Sequence, residues 1–600
     1  MSIHDEDVLG KAYDARLMRR LITYLRPYKA QVALATAAII GHSALELAPP
    51  YLVKLVIDRY IPARDMNGLA VIGALYIATL AGSFALDYAQ TWLLQLTGQR
   101  IMFDLRMQIY DHLQRLDLRF YDRNPVGRLM TRVTTDVDVL NDLFTSGVVS
   151  VFGDLFTLVG IMVMMIWIDW RLAIVAFSVL PLIWLVTQWF RRNVRESYRT
   201  VRIWIARINA YLQERITGMA TVQLFRREAR DFEDFDRIDR TYRNANVQSI
   251  FYYAVFYPAI ELISALAAAL IIWVGGGWVM AGMLTLGSLV ASLQYSSRFF
   301  RPISDMSEKF NILQGAMASS ERIFQLLDTE VEIRSGGPIS RVSGADRSGP
   351  RVGRIAFENV TFAYVTGEPV LRHVSFEVEP GQRVALVGAT GSGKTTIVSL
   401  LLRFYEVQEG RITIGGTDIR DMDLHELRSM FGLVLQDVHL FSGTIGGNVR
   451  LGNEAIDEAA VRRAVDAVHA GAFVDRLPAG LDTPVAERGA TLSVGQKQLL
   501  SFARALAFDP PVLVLDEATS SVDTETELLI RDALKVVMRG RTTIAIAHRL
   551  STIQDMDRIL VLHKGELRES GTHQELLAHR GIYHRLYQLQ FKDRELVDSR

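Results

Sequence analysis

The stretch VALVGATGSGKTTIVSLLLRF, residues 384–404, decides the fold of the second half of this 600-residue chain. It starts with a short apolar segment, passes through GATGSGKT, and continues with apolar residues at helical spacing. GATGSGKT matches the phosphate-loop pattern G-x-x-x-x-G-K-[ST], and a strand before it and a helix after it are the context that this pattern requires. Its glycines let backbone N–H groups wrap phosphates, Lys394 supplies a cation to the β- and γ-phosphates, and the Thr395 hydroxyl binds Mg²⁺. The sequence therefore predicts an α/β P-loop ATPase domain that uses ATP and Mg²⁺.

A second continuously apolar segment, VLVL at 512–515, is typical of a buried parallel strand. It ends in Asp516 and Glu517. Phosphoryl transfer needs charge neutralisation and a positioned nucleophile. We therefore expect Asp516 to hold Mg²⁺ and Glu517 to polarise the attacking water.

Composition excludes several classes of site. The formal net charge is zero, so no basic excess favours a nucleic-acid partner. The chain contains no cysteine, which excludes disulfides, thiolate nucleophiles and cysteine-ligated metal sites.

The first half of the chain contains apolar stretches long enough to cross a bilayer, which takes about 20 residues. A long uncharged stretch at 262–297, extended upstream to residue 251, holds two of them, and the glycines at 275–277 and 282 predict the turn between the two. The sequence predicts six spans in total. The other four are 32–53 with Glu46, 66–86, 147–168 with Asp154, and 172–190.

Arginine placement predicts the orientation of these spans. Seven arginines lie in 98–145 and thirteen in 191–250, whereas the connections at 61–65, 169–171 and 275–283 carry one, one and none. By the positive-inside rule, both long segments and both termini are expected in the cytoplasm. The two long segments show helical spacing and are expected to form antiparallel helix pairs that turn near residues 124–127 and 209–218.

The sequence has three further features, and the first two of them leave alternatives open. Residues 15–28 predict an amphipathic helix, either in the membrane interface or on an ordinary surface. Intramembrane polar residues are costly, and each one either contacts substrate or serves helix pairing or a water-filled cavity. A Gly-, Ser- and Pro-rich stretch at 329–353 predicts a flexible linker. The intramembrane polar residues are Glu46, Asp87, Asp154, Glu261 and Gln294.

LSVGQ at 492–496, followed by KQLLSFARAL, resembles the signature of the ATP-binding cassette (ABC) family, and the resemblance covers nearly the whole chain. Val494 departs from the commoner glycine, and valine would be strained at positive φ, so we expect a negative φ there. Further stretches match in the family order: FENVTFAY, LVLQDVHLFSGTI, VAERG at 485–489, SSVD at 520–523 and IAIAHRL.

The resemblance implies the roles of individual residues. Tyr364 would stack on adenine, Gln436 would link Mg²⁺ to the membrane domain, and His548 would contact the γ-phosphate. Catalysis would rest on Glu517, His548 and Gln436, and Mg²⁺ on Thr395, Gln436 and Asp516. The expected nucleotide-binding residues are Tyr364, Gly388, Ala389, Thr390, Gly391, Ser392, Gly393, Lys394, Thr395, Thr396, Ser493, Gly495, Gln496 and Asp523.

Two membrane-half stretches, FYDRNPVGRLMTRVTTDVDVL at 120–140 and ITGMATVQLFRRE at 216–228, resemble cytoplasmic segments of ABC exporter half-transporters. The implied fold is a six-helix type I exporter membrane domain (1–328), a linker (329–353) and an ABC nucleotide-binding domain (354–590).

The implied function is ATP-driven export of a small amphipathic molecule (drug, lipid or peptide) from the bacterial cytoplasm. The chain would lie in the cytoplasmic membrane among its lipids, as one half of a dimer. The partner is either a second copy or a catalytically degenerate chain. An ABC-type channel or regulatory membrane ATPase would carry the same motifs.

Overall fold

The computed structural model describes residues 14–337, 353–516, 524–546 and 553–589. The chain divides into two compact units. The first consists of Met1–Gln114 and Val126–Thr329, and the second of Arg115–Pro125 and Glu330–Arg600. The short segment Arg115–Pro125 thus belongs with the second unit although it interrupts the first in sequence.

The described part of the first unit is helical. We number helices along the whole chain, so that α5, Leu118–Arg123, belongs to the second unit. The helices of the first unit are α1 Ala15–Thr23, α2 Lys29–Glu46, α3 Ala48–Leu55, α4 Met66–Arg115, α6 Val126–Val133, α7 Thr135–Asp142, α8 Val148–Phe177, α9 Leu180–Thr217, α10 Met219–Leu224, α11 Glu228–Leu270, α12 Gly276–Met280 and α13 Leu286–Leu327.

Within the described residues, four helical stretches are long and apolar enough to cross a membrane: Arg26–Tyr60, Met66–Arg115, Val151–Phe177 and Glu228–Met280. The remaining predicted spans fall in α9 and α13. The uninterrupted helix predicted over 172–190 is wrong, because α8 ends at Phe177 and α9 begins at Leu180. Pro181 explains the break, since it has no amide hydrogen to donate to the carbonyl four residues earlier.

The connection predicted at 169–171 is confirmed. Asp169 has an extended backbone (φ −161°, ψ 111°) inside the long α8 segment. Its carboxylate accepts the N–H groups of Arg171 at 2.8 Å and Leu172 at 3.2 Å. Asp169 therefore caps the helical segment that follows it.

The turn between the last two predicted spans lies later than expected. Gly275–Gly277 are helical, and the chain turns at 281–285, where Gly282 has φ +69°. A Cβ on Gly275 would lie 2.7 Å from Leu289 Cδ1 and 2.8 Å from Leu172 Cδ2. Gly275 therefore permits close helix packing, which sequence alone did not separate from turn formation.

The turns of the two long extensions differ in how well they were predicted. Between α5 and α6 the chain bends at Asn124, whose amide nitrogen donates to the Phe120 carbonyl at 2.8 Å, as predicted. The second extension continues helically past Asn209 and bends only from Gly218, at the end of the predicted range.

The predicted helix at 15–28 is shorter than expected, because α1 ends at Thr23 and a 3₁₀ turn containing Pro27 follows. Arg20 donates two hydrogen bonds to Asp328, at 2.6 and 2.8 Å, and its guanidinium lies 4.2 Å from the ring centroid of Phe324. Leu21, the next residue of α1, is buried. The helix α1 is thus fastened to the end of α13.

The second unit contains a six-stranded sheet and a four-stranded antiparallel sheet. The six-stranded order is β12-β11-β3-β10-β9-β6, with β12 antiparallel and the others parallel, and the four-stranded order is β2-β1-β4-β5. A short pair, β7-β8, lies apart from both. The strands are β1 Ile355–Phe362, β2 Leu371–Val378, β3 Arg383–Val387, β4 Glu409–Ile414, β5 Thr417–Asp418, β6 Phe431–Val434, β7 Gly443–Thr444, β8 Pro484–Val485, β9 Val512–Asp516, β10 Thr542–Ile546, β11 Arg558–His563 and β12 Glu566–Gly571.

Both faces of the parallel sheet are buried. In β9, Leu513 and Leu515 pack into one hydrophobic core, and Val512 and Val514 pack into the other. This confirms the buried parallel strand predicted from the apolar run at 512–515. The helices of this unit beyond α5 are α14 Lys394–Leu401, α15 Leu424–Ser429, α16 Ile445–Arg450, α17 Glu458–Ala467, α18 Gly471–Val474, α19 Val494–Ala507, α20 Thr524–Met538 and α21 His573–Ala578.

The described start of the predicted linker is bonded to the second unit. Ser335 Oγ donates to the Asp423 carboxylate at 2.7 Å, and the Gly336 N–H donates to the Met422 carbonyl at 3.0 Å. Residues 338–352 of the linker lie outside the described residues.

A buried ion pair joins α7 to α13 in the first unit and provides a test of its packing. The Asp136 side chain is 9% exposed and accepts from Ser319 Oγ and Arg322 Nε, each at 3.0 Å. We expect Asp136→Asn to destabilise this unit by about 1–3 kcal/mol, because the partly exposed guanidinium of Arg322 loses its charge-assisted hydrogen bonds to the buried Asp136 carboxylate. Thermal unfolding in detergent measures the loss. Asp138→Asn is the control, since Asp138 is 67% exposed and pairs with Arg106 on the surface. Equal melting temperatures for the two variants would contradict this expectation.

Candidate nucleotide-binding site

Backbone geometry forms the phosphate loop between β3 and α14. Gly391 and Gly393 have φ +79° and +100°, which L side chains rarely adopt. A Cβ on Gly388 would lie 2.3 Å from the Leu562 carbonyl oxygen in β11. These three positions therefore require glycine, two for their dihedral angles and one for close approach to a strand.

Lys394 begins α14 and is 6% exposed. Its Nζ donates to the carbonyls of Gly388 at 2.8 Å and Ala389 at 3.1 Å, so the ammonium closes the loop on itself. Burial lowers the pKa of Lys394, and the charge of Asp516 opposes that shift. A buried ammonium held mainly by carbonyl dipoles gains strongly from an anionic ligand, because charge-assisted hydrogen bonds are the stronger ones.

A cavity of about 590 Å³ opens beside this loop. It brings together phosphate-loop residues, one aromatic ring and two residues from other strand ends. Gly388 and Ala389 do not line it; they contribute the carbonyls that hold Lys394. The lining residues are Tyr364, Val370, Thr390, Gly391, Ser392, Gly393, Lys394, Thr395, Thr396, Gln436 and Asp516.

The donor set of the cavity fits a phosphate group with Mg²⁺. Ser392 is 4% exposed, and its Oγ has no hydrogen-bond partner among the described residues. A buried hydroxyl without a partner is costly, and a phosphate oxygen would satisfy it. Thr395, Gln436 and Asp516 offer hydroxyl, amide and carboxylate oxygens, the ligand types that Mg²⁺ takes.

Tyr364 follows β1 at the mouth of the same cavity. Its hydroxyl lies 3.2 Å from Thr396 Oγ1 in α14. Its ring packs edge-to-face against Phe362 and Tyr405, with centroid distances of 4.9 and 5.1 Å. Two neighbouring rings and one hydroxyl contact thus hold the Tyr364 ring beside the cavity.

The segment 492–496 begins α19. Ser493 is the N-cap: its Oγ accepts the Gln496 N–H at 3.2 Å, and Gln496 Oε1 accepts the Ser493 N–H at 2.9 Å. Val494 is the first helical residue, which confirms the expected negative φ. Ser493, Gly495 and Gln496 do not line the cavity around Lys394.

Three predicted site residues, Glu517, Asp523 and His548, lie outside the described residues. Other contacts were missed by sequence reasoning. Val370 lines the cavity, and Arg119 and Tyr405 approach Tyr364. Val370 offered no signal, since a lone apolar residue before a strand is common. Arg119 directly precedes the stretch at 120–140 that resembles half-transporters, but the sequence did not indicate what Arg119 contacts.

Comparison with protein families gives two matches. Residues 32–303 match the family described as the ABC transporter transmembrane region, and residues 371–520 match the family described as ABC transporter.

Individual relatives match over nearly the full length. An uncharacterised ABC transporter ATP-binding protein, YknV of Bacillus subtilis, is 38% identical over 98% of this chain and 96% of its own. An ATP-dependent lipid A-core flippase of Desulfotalea psychrophila is 36% identical over 96% of this chain and 99% of its own. A fatty acid ABC transporter ATP-binding/permease protein of Mycobacterium bovis is 40% identical over 86% of this chain and 80% of its own.

Among solved structures, a bacterial Atm1-family ABC exporter with ATP bound superposes with a TM-score of 0.75 at 30% identity. The match covers 96% of this chain and 99% of that one.

Replacing Lys394 tests the site directly. We expect Lys394→Ala to weaken ATP binding about tenfold or more, since a hydrogen bond to a charged group contributes about 1.5–3 kcal/mol. Equilibrium titration with a fluorescent ATP analogue measures the affinity. Lys535→Ala, on the exposed face of α20, is the matched control. Equal affinities for both variants would remove Lys394 from the nucleotide site.

Proposed function

The chain belongs to the ABC transporter family, and it couples ATP hydrolysis to export as an integral membrane protein. On that premise we propose which residues act, what the chain assembles with and what it carries. The observation that carries the proposal is the cavity that gathers Tyr364, Lys394, Gln436 and Asp516 in a chain that also holds a membrane unit. We assign residues 1–328 to the membrane domain, 329–353 to the linker and 354–590 to the nucleotide-binding domain.

Nucleotide binding divides into base and phosphate contacts. Tyr364 stacks on the adenine, the backbone N–H groups and Ser392 hydroxyl of 388–396 hold the phosphates, and Lys394 turns from the loop carbonyls to the β- and γ-phosphates. Thr395, Gln436 and Asp516 would hold Mg²⁺, which would supply positive charge to neutralise the phosphates.

Hydrolysis is assigned to residues beyond the ends of β9 and β10. Glu517 accepts a hydrogen bond from the attacking water and takes its proton as the water oxygen bonds to the γ-phosphorus. The bond from that phosphorus to the β–γ bridging oxygen breaks, which releases ADP and phosphate. His548 contacts the γ-phosphate and orients it for attack.

The chain acts as a dimer. Ser493, Gly495 and Gln496 begin a helix of their own and do not line the cavity around Lys394. A second chain that presents the same segment, with its Asp523, would complete each nucleotide site. The partner is either a second copy or a degenerate half-transporter, and the presence of Glu517, His548 and Gln436 makes this chain a catalytically competent half.

The cargo is a small amphipathic molecule. The lipid A-core flippase and the fatty acid transporter named above suggest a molecule with an apolar chain, and a multidrug-type relative of Bacillus subtilis is 39% identical over 88% of this chain. We assign both extensions and both termini to the cytoplasm of a bacterium, with the spans in its inner membrane. The arginines in 98–145 and 191–250 support this assignment by the positive-inside rule. A channel or regulatory ATPase would lack vectorial transport in vesicles.

Removing the charge of Glu517 tests the proposed base. We expect Glu517→Gln to bind ATP normally and lose at least about a hundredfold in hydrolysis, since general-base catalysis contributes about 10²–10⁴-fold. Phosphate release from the chain in nanodiscs measures turnover. Glu458→Gln, exposed on α17, is the control. Turnover within threefold of the parent would exclude Glu517 as the base.

Gln436 tests the coupling between hydrolysis and transport. We expect Gln436→Ala to lower transport more than basal ATP hydrolysis. Gln436 lines the cavity, and the family resemblance assigns it the link between Mg²⁺ and the membrane domain. The measurement is transport per ATP hydrolysed, in vesicles, for a lipid or drug probe that stimulates the parent. Gln574→Ala, exposed on α21, is the control. If transport per ATP hydrolysed and the stimulation of hydrolysis by the probe both stay at parental values, Gln436 does not couple the two activities.

A further inference from the structure

The short helix α5 contacts the adenine side of the candidate site by two routes. Arg119 donates to the Tyr364 carbonyl at 3.4 Å, and the Asp122 carboxylate accepts the Tyr405 hydroxyl at 2.5 Å. Residues three apart lie on one helical face, so α5 presents both side chains together. One contact is to the main chain of Tyr364, and the other is to a ring packed against it.

Tyr405 lies between α5 and the Tyr364 ring. It meets Tyr364 edge-to-face, at 5.1 Å and 89°, and meets Phe362 at 5.8 Å and 60°. We call Phe362, Tyr364 and Tyr405 the aromatic triad. Edge-to-face pairs constrain the orientation of both rings. A base stacked on Tyr364 therefore also restricts the position of the Tyr405 hydroxyl.

The Tyr405 hydroxyl remains a donor under physiological conditions. Burial raises its pKa, and the carboxylates of Asp122 and Asp117 raise it further. The protonated phenol donates to the Asp122 carboxylate. The contact is therefore a charge-assisted hydrogen bond, stronger than one between neutral groups.

The helix α5 is short but well fixed. Asp117 accepts the Phe120 N–H at 3.1 Å at its start, and Asn124 donates to the Phe120 carbonyl at 2.8 Å at its end. The chain runs from α4 into α5 through Leu116 and Asp117 alone. The end of α4 and the start of α5 are therefore separated by two residues.

We propose that Tyr405 is a positioning residue that links occupancy of the adenine face of Tyr364 to the orientation of α5, through the aromatic triad and Asp122. The coupling through Tyr405 depends on binding of the adenine base, whereas the coupling proposed for Gln436 depends on the phosphates. The inference rests on the proposed stacking of adenine on Tyr364.

Hydrogen–deuterium exchange of the full chain in nanodiscs tests the link. The comparison is with and without saturating MgATP, in the Glu517→Gln background to prevent turnover. We expect ATP to slow exchange in the peptide covering 115–125. In Tyr405→Phe and Asp122→Ala, this ATP-dependent slowing is expected to fall about fivefold, the effect of one net hydrogen bond. Tyr405→Phe keeps the ring and so preserves packing.

Two further variants separate the link from its premise. Tyr110→Phe removes a hydroxyl from a tyrosine that is 55% exposed on α4, and it should behave as the parent. Tyr364→Ala should abolish the effect of adenine binding on α5. Adding Tyr405→Phe to it should then cause no further decrease in the ATP-dependent slowing of exchange at 115–125. Protection of 388–396 by ATP reports the proposed nucleotide site independently of the link.

The outcomes are distinct. Parental slowing at 115–125 in Tyr405→Phe, with 388–396 protected, would overturn the link and leave the nucleotide site intact. An ATP affinity unchanged by Tyr364→Ala would overturn adenine stacking itself. Additive losses in the double variant would show that Tyr405 acts on α5 without the base.

Discussion

The buried ammonium of Lys394 places the strongest constraint on the nucleotide-binding unit. It must stay charged at a position that is 6% exposed, and the described contacts that hold it are two carbonyls of its own loop. Those carbonyls face it only because Gly391 and Gly393 take positive φ and Gly388 lies against a strand. That strand keeps its place because the parallel sheet is buried on both faces. The fold thus maintains a cation at the point where phosphates are expected, together with a hydroxyl that has no hydrogen-bond partner among the described residues.

The membrane unit follows a different rule. Its described helices are largely apolar, so their positions depend on local features such as glycine contacts, proline breaks and a few polar pairs. Gly275 lets two leucines approach closely, Pro181 ends one helix, and Asp136 joins Arg322 across two others. Each of these residues contributes through close packing, a helix break or an ion pair, rather than through the amount of apolar surface it buries.

Sequence predicted which phosphate-loop residues line a common cavity better than it predicted the helix boundaries, for a physical reason. The phosphate loop needs specific residue types at fixed spacing, so the pattern itself carries the geometry, and seven consecutive predicted residues, 390–396, line one cavity. A glycine in an apolar stretch has two meanings, turn or close packing, and only three-dimensional neighbours distinguish them. The turn near Asn124 was predictable because a proline follows it, whereas Gly218 lies in a helical pattern that continues on both sides. The aromatic triad was not predictable, since Tyr405 lies 41 residues after Tyr364 in the sequence.

The membership of Arg115–Pro125 in the second unit has a consequence for how the ATPase is isolated. A fragment excised at the linker would begin after these residues and would lose the carboxylate beside Tyr405 and the guanidinium beside the Tyr364 carbonyl. The Tyr405 hydroxyl and the Tyr364 carbonyl would then lack the partners that they have in the whole chain. Nucleotide preferences measured on such a fragment would be those of a cavity without these two contacts. Supplying the missing segment as a synthetic peptide, or grafting it by a flexible tether, would restore the pocket's native surroundings.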